Sequence, residues 1–132
     1  KSIDIVGFSM GGLICRLWLQ KMGGAKRTHR FISIGCPHKG TYSAQLVPYF
    51  LLPGVAQMKR SSSLLLDLNS DLSSIKTIIC ISFYCRWDLM VFPGWEASLP
   101  IGKCFSVPVI SHRGLVGNPR ALKILTRAIL SD

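Results

Sequence analysis

Near the start of the chain, Ile3-Asp4-Ile5-Val6-Gly7-Phe8-Ser9-Met10-Gly11-Gly12 joins an apolar, β-branched run to a helix-periodic one through a glycine–serine turn. No other stretch limits the fold as strongly. Ile3–Val6 reads as a strand. Leu13, Ile14, Leu17, Trp18 and Met22 share one face of a predicted helix, and Gly23-Gly24 supplies its stop. Gly7-Phe8-Ser9-Met10-Gly11 is a G-x-S-x-G pattern in strand–turn–helix context, the context that gives this motif its meaning. It predicts a nucleophile elbow, with Ser9 in a strained backbone conformation. Gly7 and Gly11 are expected to lack a Cβ because neighbouring strand and helix leave no room. The helix N-terminus would point at Ser9, and the Met10 N–H would be placed to bind an oxyanion. The plainer alternative is a tight turn in which Ser9 only caps the helix.

The remaining chain continues the alternation. Arg30–Gly35 and Lys76–Phe83 read as strands, the second almost continuously apolar, as suits a parallel sheet covered on both faces. Cys104–Ile110 reads as a last strand, at an edge because Pro108 cannot donate to a ladder. Asn118-Pro119 predicts the N-terminus of a final helix, with Leu122, Leu125 and Ile129 inward and Arg120, Lys123 and Arg127 outward. Residues 42–72 carry Pro48, Pro53, Gly54 and a short helix from Leu64 to Asn69 with hydroxyl caps, and read as an inserted cap or lid over a site. The expected architecture is one α/β domain over residues 1–132 with right-handed crossovers. Lys1 leads into a strand within two residues, which reads as the C-terminal part of something longer.

A serine hydroxyl is a weak nucleophile at neutral pH. It needs a base, and the base needs an orienting acid. In an α/β-hydrolase arrangement these follow in the order serine, acid, histidine, on loops at strand C-terminal ends. Asp88 follows the strongest strand and is the expected acid, with Glu96 and Asp71 behind it. Asp4 precedes the serine, Asp67 sits with Asp71 on the insertion helix, and Asp132 is terminal. His112 alone follows both a strand and Asp88. His29 lies before its strand, and His38 precedes the acid and is expected to support its loop.

These residues resemble short bacterial triacylglycerol-lipase-like α/β-hydrolases. The resemblance rests on Ile3–Gly12, Arg30–Ile34, Pro37-His38-Lys39-Gly40-Thr41, Pro53-Gly54 with Gln57-Met58, Leu66–Asn69, Asp88-Leu89-Met90 and the late His112. It implies Ser9 as nucleophile, Asp88 as acid, His112 as base and the Met10 N–H as one oxyanion donor. It implies cleavage of carboxylic esters of lipid or acyl type, with no cofactor or metal. Acyl transfer through the same three residues, or a non-catalytic remnant, are the alternatives. Family members carry further strands and a His-Gly-type loop before the elbow strand. Nothing corresponds here, so the four strands are expected to be the last four of the sheet. A missing upstream segment, or self-association, is then expected at the N-terminal strand.

Hydrophobic residues at 48% and a mean hydropathy of +0.36 exclude a disordered chain. No apolar run is long enough to span a bilayer. Sixteen Lys and Arg against six Asp and Glu give a formal charge of +10. The bases are dispersed and no nucleic-acid motif accompanies them, so a basic soluble surface is expected, with peripheral contact to a lipid surface as the further option. Five cysteines lack C-x-x-C spacing, which argues against a zinc site. They read as buried free thiols in a reducing, cytoplasmic compartment.

Overall fold

The computed structural model describes residues 2–48 and 50–131. Four strands, β1 (Ile3–Phe8), β2 (Thr28–Ile34), β3 (Ile79–Cys85) and β4 (Lys103–Val107), pair in parallel in the order β1-β2-β3-β4. The register lines Val6 with Ile32, Ile32 with Ile81, and Ile81 with Lys103. Successive residues point to opposite faces, and the two faces are packed differently. On one face, Ile32, Ile34, Ile81 and Phe83 meet helix α5 (Pro119–Leu130) through Ala121 and Leu125. On the other, Phe31 and Cys80 meet Leu19 of helix α1 (Met10–Lys21), with Ala25, Ile75 and Leu99. Burial on both sides of β3 explains why it reads as an almost continuous apolar run.

Between β2 and β3 the chain leaves the sheet and forms two short helices, α2 (Pro53–Ala56) and α3 (Ser63–Ser70). The Ser62 hydroxyl caps α3 by accepting the Leu65 N–H at 3.2 Å. A small cluster of Leu13, Cys36 and Leu65 ties this excursion to α1. A further short helix, α4 (Gly114–Gly117), leads into α5, which begins as its sequence predicts: Asn118 accepts the Arg120 N–H at 2.9 Å and Pro119 opens the helix.

Five expectations need correction. The buried face of α1 is Gly12, Leu13, Arg16 and Leu19, while Ile14 is 61% exposed and Met22 69%. The charge on Arg16 hides this face from an apolar count. Its guanidinium is fully buried, donating to Leu68 O (2.8 Å), Asn69 Oδ1 (3.0 Å) and Gln20 Oε1 (2.9 Å). Arg16 thus meets the carbonyl end of α3, where a cation is favoured. In α5, Leu122 is 44% exposed, and Ala121, Ile124, Leu125 and Ala128 form the inward stripe with Ile129. β4 stops at Val107, before Pro108, and β3 starts only at Ile79, after a single 3₁₀ turn over Ile75–Thr77. Arg30, expected on the basic surface, is buried, with Nη1 donating to Ile129 O at 2.7 Å at the end of α5.

The cysteines are free thiols among the described residues; Cys36, Cys80 and Cys85 are buried, Cys15 is partly buried, and Cys104, against expectation, is exposed. Among the described residues, no helix is long and apolar enough to cross a membrane.

Candidate active site

The turn from β1 to α1 places Ser9 at the C-terminal end of the sheet. Ser9 has φ 53° and ψ −130°, and among the described residues it is the one non-glycine residue with positive φ. Such a conformation costs on the order of 1–3 kcal/mol and persists only where surroundings enforce it. Here the Ser9 N–H donates to Ile34 O (2.8 Å), and the Gly12 N–H donates to Ser9 O (3.0 Å). The Ser9 side chain makes no capping hydrogen bond to α1. Met10 is the first residue of α1, and its N–H has no hydrogen-bond partner among the described residues.

Gly7 behaves as expected: a Cβ there would lie 2.6 Å from Gly12 Cα. Gly11 does not. Nothing stands within 4 Å of the place its Cβ would occupy. The crowded position is Gly12, whose Cβ would meet Cys36 Sγ at 2.6 Å and Cys36 Cβ at 2.7 Å. Gly11 faces away from the sheet, while Gly12 faces the residue that follows β2 and Gly35.

Asp88 and His112 come together from loops after β3 and β4. His112 Nδ1 lies 2.6 Å from Asp88 Oδ2, and both side chains are buried. The other carboxylate oxygen, Oδ1, accepts the N–H groups of Met90 (2.9 Å) and Val91 (3.0 Å). The His112 ring rests on Phe8, the residue before Ser9, with centroids 4.8 Å apart. His112 Nε2 is shielded and has no hydrogen-bond partner, so Ser9 Oγ is not bonded to this ring. Gly35, not singled out by its sequence, completes the seat. It has φ +54°, and a Cβ there would lie 3.0 Å from His112 Cε1 and 2.8 Å from Leu115 Cδ1. Its one sequence signal is a glycine directly after a strand.

The other acids are engaged elsewhere. Glu96 Oε1 pairs with Arg60 Nη1 at 3.0 Å, and Asp67 Oδ1 with Lys21 Nζ at 2.7 Å. Asp4 meets His29 Nδ1 at 3.2 Å at the opposite end of β1 and β2. Asp71 lies just beyond α3 rather than on it, and hydrogen bonding from the Ser73 side chain, then from the Ser73 N–H at 2.9 Å, holds its carboxyl below its ordinary range. Asp132 lies outside the described residues.

His38 is fully buried, as a loop support should be. Nε2 meets Ser33 Oγ at 2.8 Å, Nδ1 stands 3.5 Å from Arg16 Nη1, and its carbonyl accepts Asn69 Nδ2 at 3.0 Å. Burial first, then the charges of Arg16 and Lys39, hold the imidazole well below its ordinary pKa. Burial also lowers Arg16 to about 10, a value at which it stays charged at neutral pH.

Beside His112, Trp87, Leu89, Met90 and Ile110 line an apolar groove of about 310 Å³. A smaller apolar cavity of about 150 Å³ lies between α1 and the excursion, lined by Met10, Leu13, Ile14, Leu17, Gly54 and Leu64. A larger cavity, about 730 Å³, opens at the other end of the sheet beside His29, Arg30 and Lys103, and none of Ser9, Asp88 and His112 lines it. Among the described residues no three His, Cys, Asp or Glu side chains converge as metal ligands.

Comparison with solved structures gives the class first. The mature lipase of Bacillus licheniformis superposes with a TM-score of 0.77 at 13% identity, over 98% of this chain and 66% of that one. A bromoperoxidase from Bacillus anthracis gives 0.63 at 16% identity, over 100% and 68%. Human thioesterase 2 gives 0.55 at 11% identity, over 98% and 71%. The fold is that of the α/β-hydrolases, and the chain spans 66% of the length of the mature lipase. A family model, palmitoyl protein thioesterase, matches residues 1–87, and the chain belongs to this family. That match includes Ser9 and stops one residue short of Asp88. No curated protein matches the sequence.

Proposed function

We propose that the chain is a serine hydrolase that cleaves carboxylic ester or thioester bonds of apolar acyl groups, with Ser9, His112 and Asp88 as its reacting set. The observation that carries this reading is the 2.6 Å Asp88–His112 contact, beside a positive-φ serine and with His112 Nε2 left unpartnered. Asp88 accepts the Nδ1–H, so that Nε2 carries the lone pair that takes a proton. In the reaction the Ser9 hydroxyl gives its proton to Nε2. Oγ then attacks the acyl carbon and the carbonyl π pair moves to oxygen. The Met10 N–H, at the positive end of α1, stabilises that oxyanion. Collapse expels the alcohol or thiol, which takes the proton from Nε2. Water, deprotonated by the same nitrogen, releases the acid and regenerates Ser9.

The groove lined by Trp87, Leu89, Met90 and Ile110 supports an apolar acyl or leaving group beside His112. The excursion over residues 42–72 acts as the cap: it contributes Gly54 and Leu64 to the second cavity, whose other wall includes Met10.

A fluorophosphonate tests the reading, because it phosphonylates only an activated serine. The expected result is one label on the full chain, located on Ser9 by peptide mapping and absent from Ser9→Ala. Acyl thioesters and esters of increasing chain length should then be hydrolysed by the labelled form's unmodified parent. No labelling, or labelling elsewhere, would overturn the assignment.

A further inference from the structure

We propose that Thr41 is a positioning residue for the Asp88–His112 pair, acting through the turn that holds the Asp88 carboxylate. The proposal rests on the reading of Asp88 and His112 given above. Thr41 stands at the root of the excursion, after the turn made by Pro37 and Gly40, and is 1% exposed. Its hydroxyl has one proton and two lone pairs, and all three are used. Oγ1 donates to Met90 O (3.1 Å), with Phe92 O farther off at 3.4 Å, and accepts the N–H groups of Phe92 (2.9 Å) and Ser43 (3.2 Å).

The decisive element is the peptide unit between Met90 and Val91. Its C=O accepts the Thr41 hydroxyl, and its N–H donates to Asp88 Oδ1 at 3.0 Å. A peptide unit is planar and stiff, so fixing the oxygen also fixes the direction of the N–H. Hydrogen bonds on both ends of one peptide also polarise each other. Thr41 therefore sets the orientation of Asp88 Oδ1, and through the rigid carboxylate that of Oδ2, which faces His112 Nδ1 at 2.6 Å. Two neighbouring contacts brace the same turn: the Tyr42 N–H donates to Phe92 O (3.0 Å), and Ser43 Oγ donates to Leu89 O (2.5 Å). The root of the excursion thus acts on the acid–base pair without touching a reacting atom.

Thr41→Val keeps the shape and removes the hydroxyl, leaving Met90 O and the Phe92 N–H without their partner. Thr41→Ser restores the hydroxyl. Two measurements on the full chain separate positioning from simple support. The first is the low-field proton resonance of His112 Nδ1–H, assigned with nitrogen-15-labelled histidine. It should be sharp in the parent and in Thr41→Ser, and broadened or lost in folded Thr41→Val. The second is hydrolysis of an activated acyl ester, where Thr41→Val should lower kcat by about tenfold or more with little change in KM, as expected for misplaced rather than absent groups. Folded Thr41→Val with the parent's resonance and kcat would overturn the proposal. If the parent shows no turnover, the proposed function fails while the resonance still decides this inference. If Thr41→Val does not fold, Thr41→Ala, which removes the same hydroxyl, provides the comparison, and an unchanged resonance there overturns the proposal.

Discussion

The glycines of the elbow give a measurable contrast. A Cβ at Gly12 would lie 2.6 Å from Cys36 Sγ and 2.7 Å from Cys36 Cβ. Apolar heavy atoms settle at about 3.5–4.0 Å, so the overlap is roughly 1 Å at both atoms. Cys36 is fully buried in a cluster with Leu13 and Leu65 and has no solvent side to retreat to. Overpacking of this kind costs about 1–3 kcal/mol. Replacing glycine by alanine in a helix returns about 0.5–1 kcal/mol. Gly12→Ala should therefore destabilise the chain by about 1–2 kcal/mol. Gly11 has the same helical backbone and open space around its missing Cβ. Gly11→Ala should stabilise by about 0.5–1 kcal/mol.

The two variants then differ by about 2 kcal/mol, and at this chain length each kcal/mol moves the midpoint by about 3–4 °C. Thermal unfolding should separate Gly11→Ala above Gly12→Ala by about 6 °C or more. Cys36→Ala removes one of the two overlapping atoms, so the double variant Gly12→Ala/Cys36→Ala should be more stable than the sum of its singles. A Gly11→Ala protein that melts at or below Gly12→Ala would refute the reasoning, as would strict additivity with Cys36→Ala.

The acid assignment predicts that Asp88→Asn lowers acyl-ester turnover by roughly three to four decades, while Glu96→Gln leaves it nearly unchanged, because Glu96 is engaged with Arg60; steady-state kinetics of the two variants checks the order. His38 titrates far below its ordinary pKa in the folded chain. Below about pH 6.5 the unfolded chain binds a proton that the folded chain refuses, so stability is full above that pH and falls as pH drops, by up to about 1.4 kcal/mol per unit. Urea unfolding of His38→Gln between about pH 6.5 and 5 should show a shallower loss than the parent, by up to one proton, and an equal slope would contradict this. Among the described residues β1 pairs on one side only, and Ile3 and Val6 are half-exposed; the chain should therefore self-associate or show weak amide protection over Ile3–Val6, and a monomer by sedimentation with strong protection there would show that the edge is covered.

The parts of this molecule that were legible in sequence are those whose partners are local or forced by order. β3 is recognisable because burial on both faces makes it apolar almost without alternation. The Asp88–His112 contact could be anticipated because the chain holds only six acids and three histidines, and serine–acid–histidine order leaves few combinations. The errors share another origin. An apolar count along α1 selects Ile14, Leu17 and Met22, and it cannot know that carbonyls from Leu68 and Asn69 will make Arg16 a core residue. Likewise a glycine pattern names Gly11, while the crowding falls on Gly12 because Cys36 arrives from the end of another strand.

Gly35 and Thr41 extend the point to the site itself. Neither carries a reactive group, and each acts on one that comes from a different strand's loop. Gly35 gives the His112 ring room after β2, and Thr41 reaches the Asp88 turn after β3. The proposed reacting residues are selected by chemistry and order along the chain. The residues that hold them are fixed by which strand ends lie side by side, and in a parallel sheet those neighbours are separated by whole crossovers. His38 shows the same rule from the opposite direction. It is a titratable side chain at the correct end of a strand, yet Arg16, Ser33 and Asn69 close around it from α1, β2 and the end of α3. Those three contacts turn a candidate base into a neutral brace between the elbow helix and the excursion.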